Sequence, residues 1–178
     1  MIKSSVNKWL NSQRKYQSIK VSIKSIASLK SWKLNNKELY HVSKKFFKII
    51  GIKIKTNFYN RNWDQPIIYQ KEVGILGIIK NLNSNKYLLQ AKLEPGNINR
   101  IQISPSVQAT KSNYSKVHGG KSIPYLSFFK KKHNFFSLQS EQAFRYFNKL
   151  NSNIFVFTKK KIKIEKSFRW FSKKEITS

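Results

Sequence analysis

Residues 73–94, VGILGIIKNLNSNKYLLQAKLE, set two apolar runs around a polar NLNSN, and their pattern decides the architecture. The first run, Val73 to Ile79, is continuous, short and interrupted by two Gly, which suits a central strand closely approached by another backbone. Asn81 to Asn85 is turn material, so the two runs read as a hairpin. In the second run side chains alternate across the strand: Leu89, Ala91 and Leu93 face one way, and Leu88, Gln90, Lys92 and Glu94 the other. A row of Gln90, Lys92 and Glu94 is thereby placed on one sheet face. It contacts a ligand if that face is concave and solvent if it is convex.

Working outward, Phe46 to Phe58 alternates Ile50, Ile52 and Ile54 against Lys53 and Lys55, the period of a half-buried strand, and Gly51 suggests a bulge. Val21 to Leu34 has the spacing of a short covering helix. Residues 1–20 read as an N-terminal arm, a short helix or a loosely held segment, preceding a single unit over 21–178. Downstream, Pro95 and Gly96 stop the hairpin and Arg100 to Ser104 resumes extended structure. Ser140 followed by EQAFRYFNKL predicts an N-capped helix with Ala143, Phe144, Phe147 and Leu150 on one stripe. Asn153 to Ile164 suggests a final strand pair.

A chain of 178 residues suffices for one domain with a proper core. It has no Cys, which removes disulfides, thiolate nucleophiles and Cys-based zinc sites. The start lacks the apolar core of a signal peptide, and no apolar run reaches the ~18 residues of a membrane helix, so a soluble cytoplasmic protein is expected. The net charge of +29 raises nucleic-acid binding, yet only five of the 36 cations are Arg, the residue suited to bidentate phosphate and base contacts. A solvated Lys-rich surface is the simpler reading.

The carboxylates are Glu38, Asp64, Glu72, Glu94, Glu141, Glu165 and Glu175. No two have the spacing that pairs them on one helix face, which argues against a protein-built metal site. His41 and His133 stand without a motif. His118 lies beside Gly119 and Gly120, where the backbone admits a ligand closely.

Residues 102–126, QISPSVQATKSNYSKVHGGKSIPYL, crowd amides, hydroxyls, Lys and His into a stretch with little apolar periodicity, punctuated by Pro105, Pro124 and the Gly pair. It reads as a long ordered loop that holds a polar ligand through neutral hydrogen bonds, with a few cations for an anionic part. With WDQPIIYQKEVGILGII (63–79), LLQAKLEPGN (88–97), QSEQAFRYFNKLNSN (139–153) and FRWFSKKEI (168–176), this stretch resembles the NDP-hexose 2,3-dehydratases of deoxysugar biosynthesis. The resemblance spans roughly 23–178.

That resemblance implies an α+β fold, a Nudix-like mixed β-sheet sandwiched by helices, present as a single unit. It also implies a lyase that removes water across C2 and C3 of a dTDP-4-keto-6-deoxyhexose without a cofactor or metal. Such chemistry needs a base for the C3 proton, donors for the enolate and an acid for the departing C2 hydroxyl. Carried onto matching positions, Glu94, Tyr114 and His118 are the proton-transfer candidates, and Lys92 faces an enolate oxygen. Gln65, Gln90, Asn97, Gln102, Ser104, Gln108, Thr110, Ser112 and Asn113 bind sugar, base or water. Lys111 and Lys116 attract the diphosphate, and Trp63 or Tyr114 stacks on the base. Family members are longer tandem duplications of the unit, so a homodimer is expected to replace the second repeat. The clustered Glu and Arg of a Nudix box are absent, which disfavours pyrophosphate cleavage. A binding-only remnant and a basic nucleic-acid-binding protein are the alternatives.

Overall fold

A computed structural model describes residues 5–58, 61–114, 122–130 and 133–177. The expected α+β architecture is present and dominated by sheet. Two mixed sheets carry it, with three short helices among the described residues: α1 (Ser5–Gln13), α2 (Lys111–Tyr114) and α3 (Lys173–Thr177).

The hairpin of β5 (Gly74–Asn81) and β6 (Lys86–Leu93) lies at the centre of the larger, seven-stranded sheet. β11 (Leu150–Thr158) runs parallel to β5 from Asn151↔Gly74 to Thr158↔Asn81, β9 (Phe135–Ser140) pairs with β11, and β12 (Phe168–Phe171) pairs with β6. The hairpin strands stay paired only from Asn81↔Lys86 to Ile79↔Leu88. Beyond that point β7 (Ile101–Ser104) pairs with the end of β6 and β8 (Val107–Ala109) with the start of β5. Ser106, 1 % exposed, sits where they part: Ile79 N–H donates to its Oγ at 2.9 Å, and the Oγ donates to Leu88 C=O.

The alternation read along β6 separates two cores. Leu88 joins Ile79, Val107, Phe129, Ile154 and Phe168 on one face, and Leu89 and Ala91 join Trp9, Leu10, Ile101 and Phe171 on the other. Each fully buried Leu or Ile contributes about 1.5–3 kcal/mol, so the double-sided apolar pattern fixes the register strongly. α1 closes the second core through Trp9, which meets Phe171 edge-on at 5.1 Å. Gly77 is approached by a ring rather than by backbone: a Cβ there would lie 2.3 Å from Phe129 Cε1.

The second sheet orders β1 (Trp32–Leu34), β2 (Glu38–His41), β3 (Lys48–Lys55), β4 (Asn62–Tyr69) and β10 (Tyr146–Phe147). β3 is the alternating Ile/Lys strand, but the bulge at Gly51 does not form; Gly51 stays in register opposite Pro66. Between Val21 and Leu34 there is a single 3-10 turn at Ile26–Ser28, then β1, in place of a helix. The apolar residues there cover no core, since Val21, Ile23 and Ile26 are all more than half exposed. The helix expected after Ser140 is also replaced. Ile68 N–H donates to Arg145 C=O (2.8 Å) and Glu141 N–H to Lys149 C=O (2.9 Å), so sheet pairing takes the backbone groups a helix would have used. Of the final strand pair, β11 forms, and its successor is β12 rather than 159–164.

α3 begins with a reciprocal cap. Glu175 N–H donates to Ser172 Oγ (3.3 Å), while Ser172 N–H and Oγ both donate to Glu175 Oε2 at 2.9 Å. Ser5 Oγ of α1 donates to Oε1 at 3.0 Å. The Ser172 N–H first, then the Ser172 and Ser5 hydroxyls, hold the Glu175 carboxyl below its ordinary range. Because the folded-state value is depressed, this stabilisation is full above the unfolded-state value and is lost as pH falls through the folded one. Urea midpoints measured down an acid series are expected to drop for the native chain and to drop less steeply for Glu175→Gln; identical slopes would contradict the cap.

Candidate active site

Where β5 begins, β6 ends and β11 begins, the larger sheet opens into a recess of about 200 Å³. Lys92 and Glu94 reach it from β6 and the residue after it, Gln108 and Thr110 from β8 and the residue after it, Asn113 from α2, and Lys149 and Asn151 from the residue before β11 and its start. Glu141, Tyr146 and Gln70 complete the wall. The face carrying Gln90, Lys92 and Glu94 is therefore concave at its Lys92–Glu94 end.

Lys92 Nζ lies 2.9 Å from Glu94 Oε1 and 3.5 Å from Gln108 C=O. Ser104, buried, donates from Oγ to Gln108 Oε1 at 2.8 Å, which orients that amide. In the same recess Lys149 is 5 % exposed and its ammonium donates to Glu72 C=O. Burial pushes the Lys149 ammonium below the ordinary lysine value, against the opposing pull of Glu72 and Glu141. Glu72 secures α2 as well, its carboxylate accepting Ser112 N–H (3.1 Å) and Oγ (2.8 Å). Asn151 Nδ2 donates to Glu141 Oε2 at 2.6 Å. Gly74 makes room for that amide, because a Cβ would lie 2.4 Å from Asn151 Oδ1.

Of the residues expected from the sequence, Glu94, Lys92, Gln108, Thr110 and Asn113 line this recess. Ser104 and Ser112 stand behind it, holding Gln108 and Glu72. Gln90 lies deeper on β6, paired with Ser104 and Phe168. Asn97 belongs to the turn before β7, its Nδ2 3.5 Å from Arg100 C=O, while Gln102 and Lys111 are exposed. Trp63 and Gln65 lie on β4 of the other sheet, joined by Trp63 Nε1–H donating to Gln65 Oε1 at 2.8 Å. Tyr114 ends α2. Lys116 and His118 fall outside the described residues.

The long loop expected over 102–126 is more regular than its composition suggested, since it contains β7, β8 and α2. Its polar residues serve the core as well as the recess: Ser104, Ser106 and Ser112 are all buried. Glu141 and Lys149 were missed because a helix was expected over 141–150, and Asn151, just beyond it, was missed with them. The opposite charges of Glu141 and Lys149 flanking a turn were the available signal.

A family model described as NDP-hexose 2,3-dehydratase matches residues 3–178. The chain belongs to the NDP-hexose 2,3-dehydratase family. Relatives named dTDP-4-dehydro-6-deoxy-alpha-D-glucopyranose 2,3-dehydratase agree. The protein of Saccharopolyspora spinosa is 38% identical over 153 residues, covering 81% of this chain and 32% of the relative. That of Streptomyces violaceoruber is 41% identical over 146 residues, covering 75% and 32%. That of Amycolatopsis orientalis is 35% identical over 181 residues, covering 94% and 38%. The chain thus spans about a third of the length of these dehydratases. The family match includes α1, which packs into the second core.

Proposed function

We propose that this chain is one unit of a nucleotide-sugar 2,3-dehydratase acting on a dTDP-4-keto-6-deoxyhexose. The observation that carries the reading is the buried Lys149 lining one sugar-sized recess together with the Lys92–Glu94 pair, in a chain of this family.

The C4 ketone acidifies the C3–H bond. Glu94 takes the C3 proton while the Lys149 ammonium donates to the C4 oxygen, where the enolate charge gathers in a partly water-excluded site. The electron pair then forms the C2=C3 bond as the C2–O bond breaks, and the proton on Glu94 passes to the departing hydroxyl. One water leaves, and the C3 enol tautomerises to the 3,4-diketo sugar. Gln108, Thr110, Asn113 and Asn151 hold the remaining hydroxyls.

The same proposal includes a Nudix-like ancestry, a cytoplasmic location and a second copy of the chain supplying what the longer relatives carry. Edge strand β9 supports the last point, because Phe135, Phe136 and Leu138 are each more than half exposed on it. No helix among the described residues is long and apolar enough to cross a membrane.

Incubation with the dTDP-4-keto-6-deoxy sugar is expected to give a product lighter by one water in the mass spectrum, with a specific activity that rises with protein concentration as the dimer forms. Tight, steeply salt-dependent binding of duplex DNA with no change in the sugar would overturn the reading in favour of a nucleic-acid-binding protein.

A further inference from the structure

Residues 70–73 carry the chain from β4 of the smaller sheet to β5 of the larger one, and among them Glu72 has a carboxylate that the elimination chemistry above does not use. Glu72 is half-buried and does not line the elimination recess. Its side chain and its main chain nevertheless each hold a part of that recess. The side chain serves α2. A helix of a single turn, Lys111–Tyr114, is too short to keep its shape alone in water, and its first N–H groups have no partner within the helix. Glu72 supplies one from 40 residues upstream: Oε1 accepts Ser112 N–H at 3.1 Å and Oε2 accepts Ser112 Oγ at 2.8 Å. Ser112 is buried, so these bonds form away from water, and a carboxylate acceptor makes them about twice as strong as neutral ones. Thr110 and Asn113, just before and after Ser112, both line the recess. The main chain serves Lys149. Glu72 C=O accepts from the ammonium, and while burial disfavours the charged form of that group, the negative charges of Glu72 and then Glu141 oppose the burial.

We infer that Glu72 is a positioning residue of the elimination site, its carboxylate fixing α2 so that Asn113 meets the sugar, and its carbonyl and charge keeping the Lys149 ammonium in place. The inference rests on the dehydratase reading and deepens it. The sugar must be gripped by its hydroxyls and must present its C4 oxygen to the ammonium at the same time, and a misplacement of about 1 Å in such an arrangement costs on the order of 10²-fold in rate. The groups that do this come from segments far apart in the chain, α2 after β8 and Lys149 before β11. One residue bonded to both makes their spacing a property of the fold. Glu72 touches no part of the sugar in this arrangement and acts only through Ser112 and Lys149. The other titratable groups of the recess are Lys92, Glu94, Glu141 and Tyr146. Lys71, next to Glu72 in the connection, is engaged elsewhere, its Nζ 5.6 Å from the centroid of the Tyr69 ring.

The test compares Glu72→Gln with Ser112→Ala, which separate the two roles. Glutamine keeps the size and an acceptor oxygen, so α2 stays capped while the negative charge near Lys149 is gone. Ser112→Ala keeps that charge and deletes the hydroxyl bond that pins α2. In Glu72→Gln the KM for the 4-keto sugar is expected to stay within about threefold of native, and the alkaline limb of kcat to move to lower pH, because an ammonium that loses a neighbouring negative charge deprotonates more readily. In Ser112→Ala the KM is expected to rise about tenfold with the alkaline limb where the native protein has it. Native KM and an unmoved limb in both variants would overturn the assignment. So would an equal loss of kcat at every pH in both, accompanied by a lower urea midpoint, which is what a purely structural role gives. A titration without substrate keeps this inference apart from the dehydratase reading. The Lys149 side chain, followed by carbon NMR in lysine-labelled protein and assigned by its absence from Lys149→Met, is expected to titrate at lower pH in Glu72→Gln than in the native chain. If it does so and the native chain never exchanges the substrate's C3 hydrogen, the dehydratase fails and the placement of Lys149 by Glu72 stands. If the C3 hydrogen exchanges while Lys149 titrates alike in both proteins and KM ignores both substitutions, the positioning role fails and the dehydratase stands.

Discussion

Lys149→Met is expected to lower turnover of the 4-keto sugar by about 10²–10⁴-fold, the range for removing a positioned proton-transfer or oxyanion-stabilising group. It is expected to do so without unfolding the chain. The methionine keeps the length and apolar stem of the lysine, and replacing a desolvated charge by an apolar group of similar volume is often neutral for stability. The pH dependence separates this role from a structural one. In the proposed mechanism Lys149 acts as the ammonium, and burial sets its pKa below the ordinary lysine value, against Glu72 and Glu141 nearby and with Lys92 and Glu94 lining the same recess. The alkaline limb of kcat should then fall at a pH lower than free lysine would give. Stability moves the other way. With the folded-state value depressed, the unfolded chain binds more protons between the two values, so stability rises with pH across that window. Activity that falls while the urea midpoint rises, with both effects absent in Lys149→Met, is the signature. A variant that unfolds, or one that keeps its turnover, would contradict the assignment.

Ser106→Ala carries the largest expected stability effect. The hydroxyl satisfies Ile79 N–H and Leu88 C=O at the point where the central hairpin divides, and both flanking residues are fully buried. An unsatisfied buried backbone group costs about 1–3 kcal/mol, so losing two partners at once should cost roughly 2–5 kcal/mol. The measurement is the shift in urea midpoint at constant m-value. Ser106→Thr, which keeps the hydroxyl, should lose less. A loss in Ser106→Ala below about 1 kcal/mol would mean that water or a backbone shift replaces the serine.

The central sheet was legible because its signal is local. Leu88 and Leu89 point into separate cores, so a two-residue period with apolar residues on both faces reads correctly as a strand inside the protein. The 102–126 stretch supplies Gln108, Thr110 and Asn113 to the recess, as its polar composition suggests, but it was misread as structure. Val107 and Ser106 are among its most buried residues, yet the partners that bury them come from β5 and β6, some 20 residues earlier in the chain. Glu141 and Lys149 were hidden for a related reason. The apolar spacing of 143–150 fits a helix when read alone, but Phe144 is 76 % exposed and the segment spends its backbone groups on β4 and on its own closure. Glu94 and Lys92, in contrast, needed only strand alternation to reach the recess, and both are there.

The most direct measurement is exchange of the substrate's C3 hydrogen with deuterated water, followed by proton NMR in the presence of the protein. The account predicts exchange well above the protein-free rate for the native chain, and its loss in both Glu94→Gln and Lys149→Met. Exchange that persists undiminished in either variant, or no enzyme-dependent exchange in the native chain, would contradict a recess built to remove that proton.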